Sequence, residues 1–324
     1  MTTNAETVVT GKQVIKKSRG FWFDLFRRLI MEKPLGSFGL FIVIILFIFG
    51  IFATQLAPYG MNAIHLKDNL QGPSANYLLG TDQLGRDILS RLIYGARVSM
   101  IIGLGATALM EGLAAVIGIS TAYFGGKFDL FVQRFVDSWM SIPPFLLLMT
   151  VMSIVGSGMA QLIIIIGVTG AIGHSRLIRS AVLGIKSNMY VQATEAIGCG
   201  PVRTMVRHIL PNIMPVIIIS FTLGVGGAIM YEATLSFLGL GVPPGVPSWG
   251  SMLSNEGRAY MESNPWLALW PGLSLTVAVY GINMFGDALR DLLDPRLRGG
   301  VGRYNLKEKR VNKLKQKLAI NPLT

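Results

Sequence analysis

The stretch YVQATEAIGCGPVRTMVRHILPN, residues 190–212, is a short charged segment between two long apolar runs. It carries Glu195, Arg203 and Arg207, and it is interrupted by a Gly-Cys-Gly-Pro sequence. Glycine and proline mark turns and helix boundaries. The fold therefore depends on what the flanking runs are and on which side of them this segment lies.

The composition is that of a bilayer protein. Of the 324 residues, 51% are hydrophobic and only 14% are charged, whereas soluble domains have about 25% charged residues. The mean hydropathy is +0.53. Cys199 is the only cysteine, so no disulfide can form within the chain. The three histidines are far apart in sequence, and we expect no metal site.

Six apolar runs are long enough to span a membrane, for which a helix needs about 20 residues. We predict an all-α integral membrane protein with six transmembrane helices, a leading helix followed by a five-helix core. The fourth run is short and rich in glycine, and the fifth must tilt or project beyond the hydrocarbon. The predicted spans are 36–57, 98–123, 139–155, 156–173, 211–241 and 266–286.

The distribution of basic residues predicts the orientation. One side of the membrane receives seven Lys or Arg from 1–35, two from 124–138, five from 174–210 and ten from 287–324. The other side receives four from 58–97, one from 242–265 and none between spans three and four. Because cytoplasmic loops collect Lys and Arg, both termini should be cytoplasmic. Topology then explains the net charge of +12, and we expect no nucleic-acid partner.

The predicted domains follow from these spans. Residues 1–35 form a cytoplasmic segment, 36–57 the first transmembrane helix, 58–97 an extracytoplasmic loop, 98–286 the core with its cytoplasmic loop 174–210, and 287–324 a basic cytoplasmic tail.

Two segments near the predicted cytoplasmic ends have a composition typical of membrane-surface sequence. Residues 20–33 mix aromatic and basic side chains, which indicates either an interfacial helix or a polar extension of the first span. The tail at 303–317 is basic and polar, as expected of a solvated or lipid-surface extension.

The opening segment should form two short helices around a turn. Asn188 can cap a helix that runs to about residue 197, the glycines allow the turn, and Pro201 suits the first position of a second helix. In the second helix an apolar face recurs at steps of three and four residues, with Pro211 then starting span five. That face consists of Val202, Met205, Val206 and Ile209. The structure expected is a helix–turn–helix with one apolar side and one basic side.

This segment resembles the cytoplasmic coupling motif of ABC importer permeases, which reads E-A-A, three residues, G, nine residues, then I-x-L-P. The matching positions are Ala193, Gly198, Leu210 and Pro211, and His208 stands at the isoleucine position. Two positions depart from the motif, since its glutamate is Gln192 and its second alanine is Thr194. Glu195 lies three residues on and is a candidate for the displaced carboxylate.

Three further stretches resemble one permease of the dipeptide, oligopeptide and nickel importers, the one with an extra N-terminal span. They are LGTDQLGRDILSRLIYGARVSM at 79–100, EATLSFLGLGVPPGVPSWG at 232–250 and GDALRDLLDPRLRG at 286–299. The resemblance implies that the coupling motif contacts an ATPase subunit. The candidate coupling residues are Gln192, Ala193, Glu195, Gly198, Arg203, Met205, Val206, Arg207, His208, Leu210 and Pro211.

Two extracytoplasmic features have alternative interpretations. The charged residues of 79–97 form either a polar rim that receives a substrate-binding protein or a scaffold that holds span two. The proline-rich loop GVPPGVPSWG cannot be helical, and within it Trp249 is a candidate interface anchor.

Two glutamates lie within predicted spans, Glu111 and Glu232. A carboxylate in mid-bilayer costs about 2.5–3.5 kcal/mol, so it faces protein or water. Glu111 is either a pathway residue or a brace between helices, and for Glu232 we favour a structural or gating role. Met230 and Tyr231 are candidate residues of the pathway or its gate.

The chain contains no G-x-x-x-x-G-K-[ST], G-x-S-x-G or H-E-x-x-H motif, so we expect no enzyme chemistry and no cofactor in this chain. The resemblance implies half of a translocation pathway, completed by a related permease, two ATPase subunits, an extracytoplasmic binding protein and membrane lipid. The expected solute is a di- or oligopeptide. The alternatives are an importer for nickel or another small solute, and a stand-alone channel or secondary transporter.

Overall fold

A computed structural model describes residues 21–293, and this part of the chain contains helices and no strand beyond one isolated bridge between Thr81 and Asp87. The expectations for the first twenty residues and for the tail at 303–317 lie outside the described residues. The α-helices are α1 (Phe21–Glu32), α2 (Pro34–Ile51), α3 (Ala53–Leu56), α4 (Ile88–Phe124), α5 (Gly126–Met140), α6 (Pro144–Val155), α7 (Met159–Lys186), α8 (Met189–Ala196), α9 (Pro201–Arg203), α10 (Leu210–Phe237), α11 (Trp249–Met252) and α12 (Trp266–Leu293).

Within residues 21–293, five continuous helical stretches are long and apolar enough to cross a membrane: α2, α4, α7, α12, and the run Pro201–Phe237 that contains α9 and α10. The sixth crossing requires α5 and α6 together, and these two helices are bent by 82° at the break between them. The all-α architecture with a leading helix is therefore confirmed, while one of the six spans is broken.

The predicted bounds of the third span, 139–155, do not coincide with one helix. Its first residues belong to α5, and α6 contains only 12 residues, or about 18 Å of helix. The break falls at Pro143 and Pro144. Proline disfavours the α conformation in the residue before it, and two consecutive prolines explain why α5 cannot continue into α6.

The fourth span is longer than predicted. The sequence predicts that this span ends at residue 173, because polar residues follow, but α7 continues to Lys186. Those polar side chains have partners on neighbouring helices. Arg179 forms two bonds of 2.7 and 2.5 Å to the carboxylate of Asp129, and Arg176 pairs with Asp137. Because the charges are paired within the protein, the helix need not end where the apolar run ends.

Two other predicted boundaries also move. α4 begins at Ile88, ten residues before the predicted start, because the carboxylate of Asp87 accepts the Ser90 amide at 2.8 Å as an N-cap. The fifth span ends at Phe237 and is continuous with the helix that begins at Pro201. The predicted helix start at Pro211 is therefore absent.

A π-helical turn explains how the helix passes Pro211. Residues Thr204–Ile209 are π-helical, and such turns are local expansions within α-helices. The side chain of Asn212 donates to the carbonyl of His208 at 2.6 Å. The wider turn and this side-chain bond accommodate a proline that cannot donate a backbone hydrogen bond.

Packing contacts define the direction of each span. α4 and α7 run parallel, since Gly105 lies against Ile163 and Gly118 against Ile178. α10 runs antiparallel to α4, and α2 antiparallel to α12. Lys33 and Asp291 form an ion pair, so the described chain starts and finishes at one end of the bundle. We call this the proximal end, and the end that carries 57–87 and 238–265 the distal end.

The interfacial-helix interpretation of 20–33 is supported over an extended first span. α1 ends at Glu32 and α2 begins at Pro34, with Lys33 in a non-helical conformation between them. Leu29 of α1 is buried against Leu292 of α12. A separate helix packed against the proximal end is not a continuation of α2.

The charged residues near the distal end are buried, so the interpretation of an exposed rim is wrong. Asp82, Arg86, Asp87 and Arg91 are each at most 8% exposed. The carboxylate of Asp82 accepts from the Arg86 amide at 2.9 Å and from the Arg86 Nε at 2.6 Å. These charges hold the loop against the start of α4, as a scaffold does.

Trp249 is likewise not an interface anchor. It is 2% exposed, and its indole N–H donates to the carbonyl of Leu92 at 3.2 Å. Gly95 of α4 provides the space, because a Cβ there would lie 3.0 Å from the indole ring. The proline-rich loop thus inserts its tryptophan into the core.

Candidate coupling segment and central cavity

The segment 189–209 forms the predicted two helices around a glycine turn. α8 ends at Ala196, Gly198 has a φ of +79°, and α9 begins at Pro201. The Cys199 amide donates to the Thr194 carbonyl at 3.0 Å. A left-handed glycine just after a helix, with a bond back into its last turn, is a common helix terminus.

The predicted single apolar face of the second helix is wrong. Ile209 is fully buried and Met205 is half-buried against the same cluster, whereas Val202 and Val206 are 69% and 58% exposed. The prediction assumed α-helical periodicity throughout. The π-helical turn changes the angular spacing from residue 204 onward, so the four side chains divide between two faces.

The exposed surface of the segment is both apolar and basic. Five large apolar side chains are more than 40% exposed, and the side chains of Arg203 and Arg207 are exposed beside them. The five are Met189, Tyr190, Ile197, Val202 and Val206. We call this set of seven residues the coupling surface. Apolar groups exposed together at this density indicate contact with a partner or with lipid.

The motif residues have different surroundings. Gln192, Ala193, Gly198 and Pro211 are exposed, while His208 and Leu210 are half-buried. Glu195 lies in α8, but its side chain is outside the described part of the structure.

Buried residues hold the segment against the bundle. Val191 and Thr194 face inward from α8, and the Thr194 hydroxyl donates to the carbonyl of Val191 at 2.7 Å. Thr204 is fully buried. Ile209 and Ile213 pack against the ends of α4 and α7. The segment is therefore fixed to the proximal ends of three spans and presents the coupling surface outward.

A cavity of about 1120 Å³ lies among α4, α5, α6, α7, α10 and α12. Most of its wall is apolar. Tyr231 lines it and Met230 does not, although Met230 is 45% exposed elsewhere on α10. Met230 and Tyr231, both predicted from sequence as pathway candidates, therefore lie on different sides of α10.

Glu111 does not line the cavity, but it lies behind the wall. It is 3% exposed, and its Oε1 accepts a hydrogen bond of 2.6 Å from the hydroxyl of Ser220. The same oxygen lies 2.9 Å from His174 Nδ1. Both partners line the cavity. This arrangement favours the interpretation of Glu111 as a brace, since it joins α4, α7 and α10 and bonds two residues of the wall.

Glu232 is fully buried and does not line this cavity. Its Oε1 accepts from Ser236 at 2.7 Å, and Ser99 of α4 and Ser248 at the start of α11 also contact it. The Ser236 hydroxyl in turn accepts the amide of Val242 at 3.3 Å. This arrangement favours the structural role, because Glu232 joins the distal ends of two spans to the proline-rich loop.

His174 and Ser220 are the wall residues that sequence reasoning missed. His174 lies in a glycine-rich, apolar part of the chain. A single histidine in such a run is the sequence feature that could have indicated a functional residue. Its partner on α4 is remote in sequence, so the pairing itself is not readable from local pattern. Among the described residues no group of three or more His, Cys, Asp or Glu is placed to hold a metal ion.

These features define a class: a multi-pass helical membrane subunit with a central cavity and an exposed segment at one end. Residues 114–299 match the family model described as the binding-protein-dependent transport system inner membrane component. Residues 20–73 match the N-terminal transmembrane domain of oligopeptide transport permease C.

Curated relatives align over most of the chain. A dipeptide transport system permease protein of Alkalihalophilus pseudofirmus is 36% identical, covering 86% of this chain and 90% of the relative. A glutathione transport system permease protein of Escherichia coli O157:H7 is 36% identical over 91% of this chain and 96% of the relative. An oligopeptide transport system permease protein of Bacillus subtilis is 36% identical over 89% and 93%.

A solved structure has the same fold. A chain of the methionine ABC transporter in an inward-facing conformation superposes with a TM-score of 0.52 at 19% identity, covering 63% of this chain and 96% of that one. This chain belongs to the family of inner-membrane components of binding-protein-dependent transport systems. It is a permease subunit of an ABC importer in the bacterial inner membrane.

Proposed function

We propose that this permease imports di- or oligopeptides. The observation that carries the proposal is the 36% identity, over most of the chain, to permeases of dipeptide, glutathione and oligopeptide systems. The cavity supports it, because about 1120 Å³ exceeds the space that a single metal ion needs and its wall is mostly apolar.

The proposed assembly has five further components. A related permease supplies the other half of the pathway, two ATPase subunits bind at the proximal end, a binding protein delivers solute at the distal end, and lipid surrounds the spans. ATP hydrolysis belongs to the ATPase subunits, since this chain has no phosphate-binding loop motif. The proximal end and both termini are cytoplasmic in this proposal, as the distribution of Lys and Arg indicates.

The experiment that tests the solute is purification of the complete complex with its binding protein. Bound solute is released and identified by mass spectrometry, and uptake is measured in proteoliposomes that contain ATP. Recovery and ATP-dependent uptake of short peptides is the expected result. Nickel or another small solute in their place contradicts the peptide proposal, and ATP-independent flux by the chain alone contradicts the importer.

The coupling surface is the proposed contact with an ATPase subunit. An amphipathic helix binds a partner by placing apolar side chains into a groove, and the exposed apolar residues of 189–206 are available for this. Met205 is a poor probe because it is half-buried against the core. Ile197, which is 83% exposed, and Val206 are better ones.

We expect Ile197→Glu and Val206→Glu each to lower the ATPase-to-permease ratio after affinity purification by at least about tenfold. Burial of an unpaired carboxylate costs several kcal/mol, and each 1.4 kcal/mol is a factor of ten. Arg203→Ala should have a smaller effect, since exposed ion pairs contribute little.

The matched control is Ile64→Glu, which changes an isoleucine that is 54% exposed at the distal end. It should leave the ratio unchanged. If the glutamate variants at 197 and 206 also leave it unchanged, the coupling surface contacts lipid and not the ATPase.

A further inference from the structure

The cavity wall is mostly apolar, and His174 lies on it near the middle of α7. Of the described residues that line the cavity, the titratable ones are His174, Tyr231 and Arg290. Arg290 lies near the proximal end of α12. Only His174 is bonded to a buried carboxylate within the bundle. A solute that crosses the cavity therefore meets one imidazole that is held from behind by a buried carboxylate.

The hydrogen bonds of this pair fix which ring nitrogen is available. Glu111 Oε1 and Ser220 Oγ both lie near His174 Nδ1, at 2.9 and 3.2 Å. No described residue bonds Nε2, and the His174 side chain is 37% exposed to the cavity. In either neutral tautomer Nε2 can form a hydrogen bond, as an acceptor when Nδ1 carries the proton and as a donor otherwise.

Two neighbouring polar atoms are buried without a partner among the described residues. They are Oε2 of Glu111 and Oγ1 of Thr107, which is one helical turn from Glu111 on α4 and lines the cavity. Buried polar groups are nearly always hydrogen-bonded. Neither atom is accessible to a solute, whereas the His174 side chain bonded to Glu111 is 37% exposed.

A peptide in this cavity has the complementary need. Its main-chain N–H and C=O groups lose hydrogen bonds to water in an apolar passage, and each unpaired group costs free energy. A group that can donate or accept, placed partway along the passage, lowers that cost for any peptide sequence. This chemistry does not select a side chain, which suits a transporter of varied peptides.

We propose that His174 is a solute-binding residue of the translocation pathway, with Nε2 contacting main-chain or terminal polar groups of the passing peptide. Glu111 and Ser220 are positioning residues that hold the ring. The proposal rests on the proposed function, because it assumes a peptide solute.

A pair of variants separates solute contact from bracing of the helices. His174→Asn places an amide nitrogen near the position of Nδ1, so it keeps the bond to Glu111 and loses the cavity-facing group. His174→Gln places its amide near the position of Nε2 and so keeps the cavity-facing group. The complete complex with its binding protein is reconstituted, and the probe is a defined mixture of tri- and pentapeptides quantified inside the vesicles by mass spectrometry.

For His174→Asn we expect peptide uptake to fall about tenfold, the factor of one hydrogen bond, while ATP hydrolysis stimulated by the binding protein stays within about twofold. For His174→Gln we expect at least a partial rescue of uptake. The control is Ile164→Asn, which adds the same amide on α7 at a side chain 54% exposed and outside the cavity wall. It should transport as the unmodified complex does.

The opposite order, with His174→Asn active and His174→Gln inactive, overturns the proposal and leaves His174 as a brace. Equal activity of both variants and of the unmodified complex also overturns it. Failure of the unmodified complex to import the peptide mixture, while it imports another solute, contradicts the proposed function and this inference with it.

Discussion

Gly198 has a φ of +79°, whereas Gly200, two residues further on, has a φ of −66°. A Cβ added at either position meets no atom within 4 Å. The two glycines therefore differ in backbone conformation and not in available space. Side chains other than glycine disfavour the left-handed region by about 1 kcal/mol or more.

We therefore predict that Gly198→Ala destabilises the turn after α8 by about 1 kcal/mol. Amide hydrogen exchange of residues 189–197 should become roughly fivefold faster. Gly200→Ala is the control and should leave the exchange rates as they are. Equal exchange in the two variants would show that the turn does not depend on the left-handed glycine.

A second prediction at the residue scale concerns Glu232. Glu232→Leu leaves the hydroxyls of Ser99, Ser236 and Ser248 without their shared acceptor, and an unsatisfied buried polar group costs about 1–3 kcal/mol. We expect a lower thermal unfolding midpoint for the purified complex. Glu232→Gln keeps an acceptor oxygen and should lower the midpoint less. Glu232 has no structural role if the complex with Glu232→Leu unfolds at no lower temperature than the unmodified complex and the complex with Glu232→Gln transports normally.

Residue identities alone predicted the turn but not the polar partners. The spacing of glycine and proline is local, so Gly198 and Pro201 were assigned correctly from sequence. The partners of Glu111 and Glu232 lie on other helices, and no local pattern contains them. The sequence showed that these carboxylates need partners and could not show which residues provide them.

At the scale of the elements, α2 and α12 are in close backbone contact. A Cβ added at Gly39 would lie 2.5 Å from the carbonyl oxygen of Gly281 and 2.7 Å from the amide nitrogen of Phe285, both backbone atoms. Small residues allow helices in a membrane to approach in this way. The leading helix is thus attached to the core by direct backbone proximity.

We predict that Gly39→Ala separates α2 from α12 and lowers the thermal unfolding midpoint of the purified complex. The neighbouring backbone cannot move without displacing a span. Gly50→Ala is the control on the same helix, since its added Cβ would lie 3.7 Å from the nearest atom, an ordinary contact. Identical midpoints for the two variants would contradict the close packing of α2.

Sequence reasoning at the element scale succeeded where apolar length decided the outcome and failed where pairing did. α2 and α12 were predicted from their apolar runs. The end of α7 was predicted too early because Arg176 and Arg179 are charged, although both are paired with aspartates of α5. The divided face of the second coupling helix resulted from a π-helical turn, which has no sequence signature of its own.

At the scale of the whole bundle, residues 21–293 pass six times between its ends when α5 and α6 count as one passage, which brings the start of α2 and the end of α12 together. Lys33 and Asp291 form an ion pair between these two helix ends. The chain leaves α4 at the proximal end and enters α7 at the distal end, so α5 and α6 together make one passage. The number of passages is therefore even, although α6 is too short to span the membrane alone. The passage count constrains the two ends to one side but does not by itself decide which side is cytoplasmic.

The charge distribution predicts that the proximal end is cytoplasmic, and Cys199 provides a test of that prediction. This sole cysteine lies at the proximal end in the turn after α8, and it is partly exposed. If the proximal end is cytoplasmic, a membrane-impermeant maleimide should leave Cys199 unmodified in spheroplasts and modify it in inside-out vesicles. A variant that combines Cys199→Ser with Asn69→Cys moves the thiol to an exposed position in the distal loop, and its labelling should be reversed. Modification of Cys199 in spheroplasts would show that the topology is the reverse of the prediction. The coupling surface would then lie outside the cell, where no ATPase can reach it.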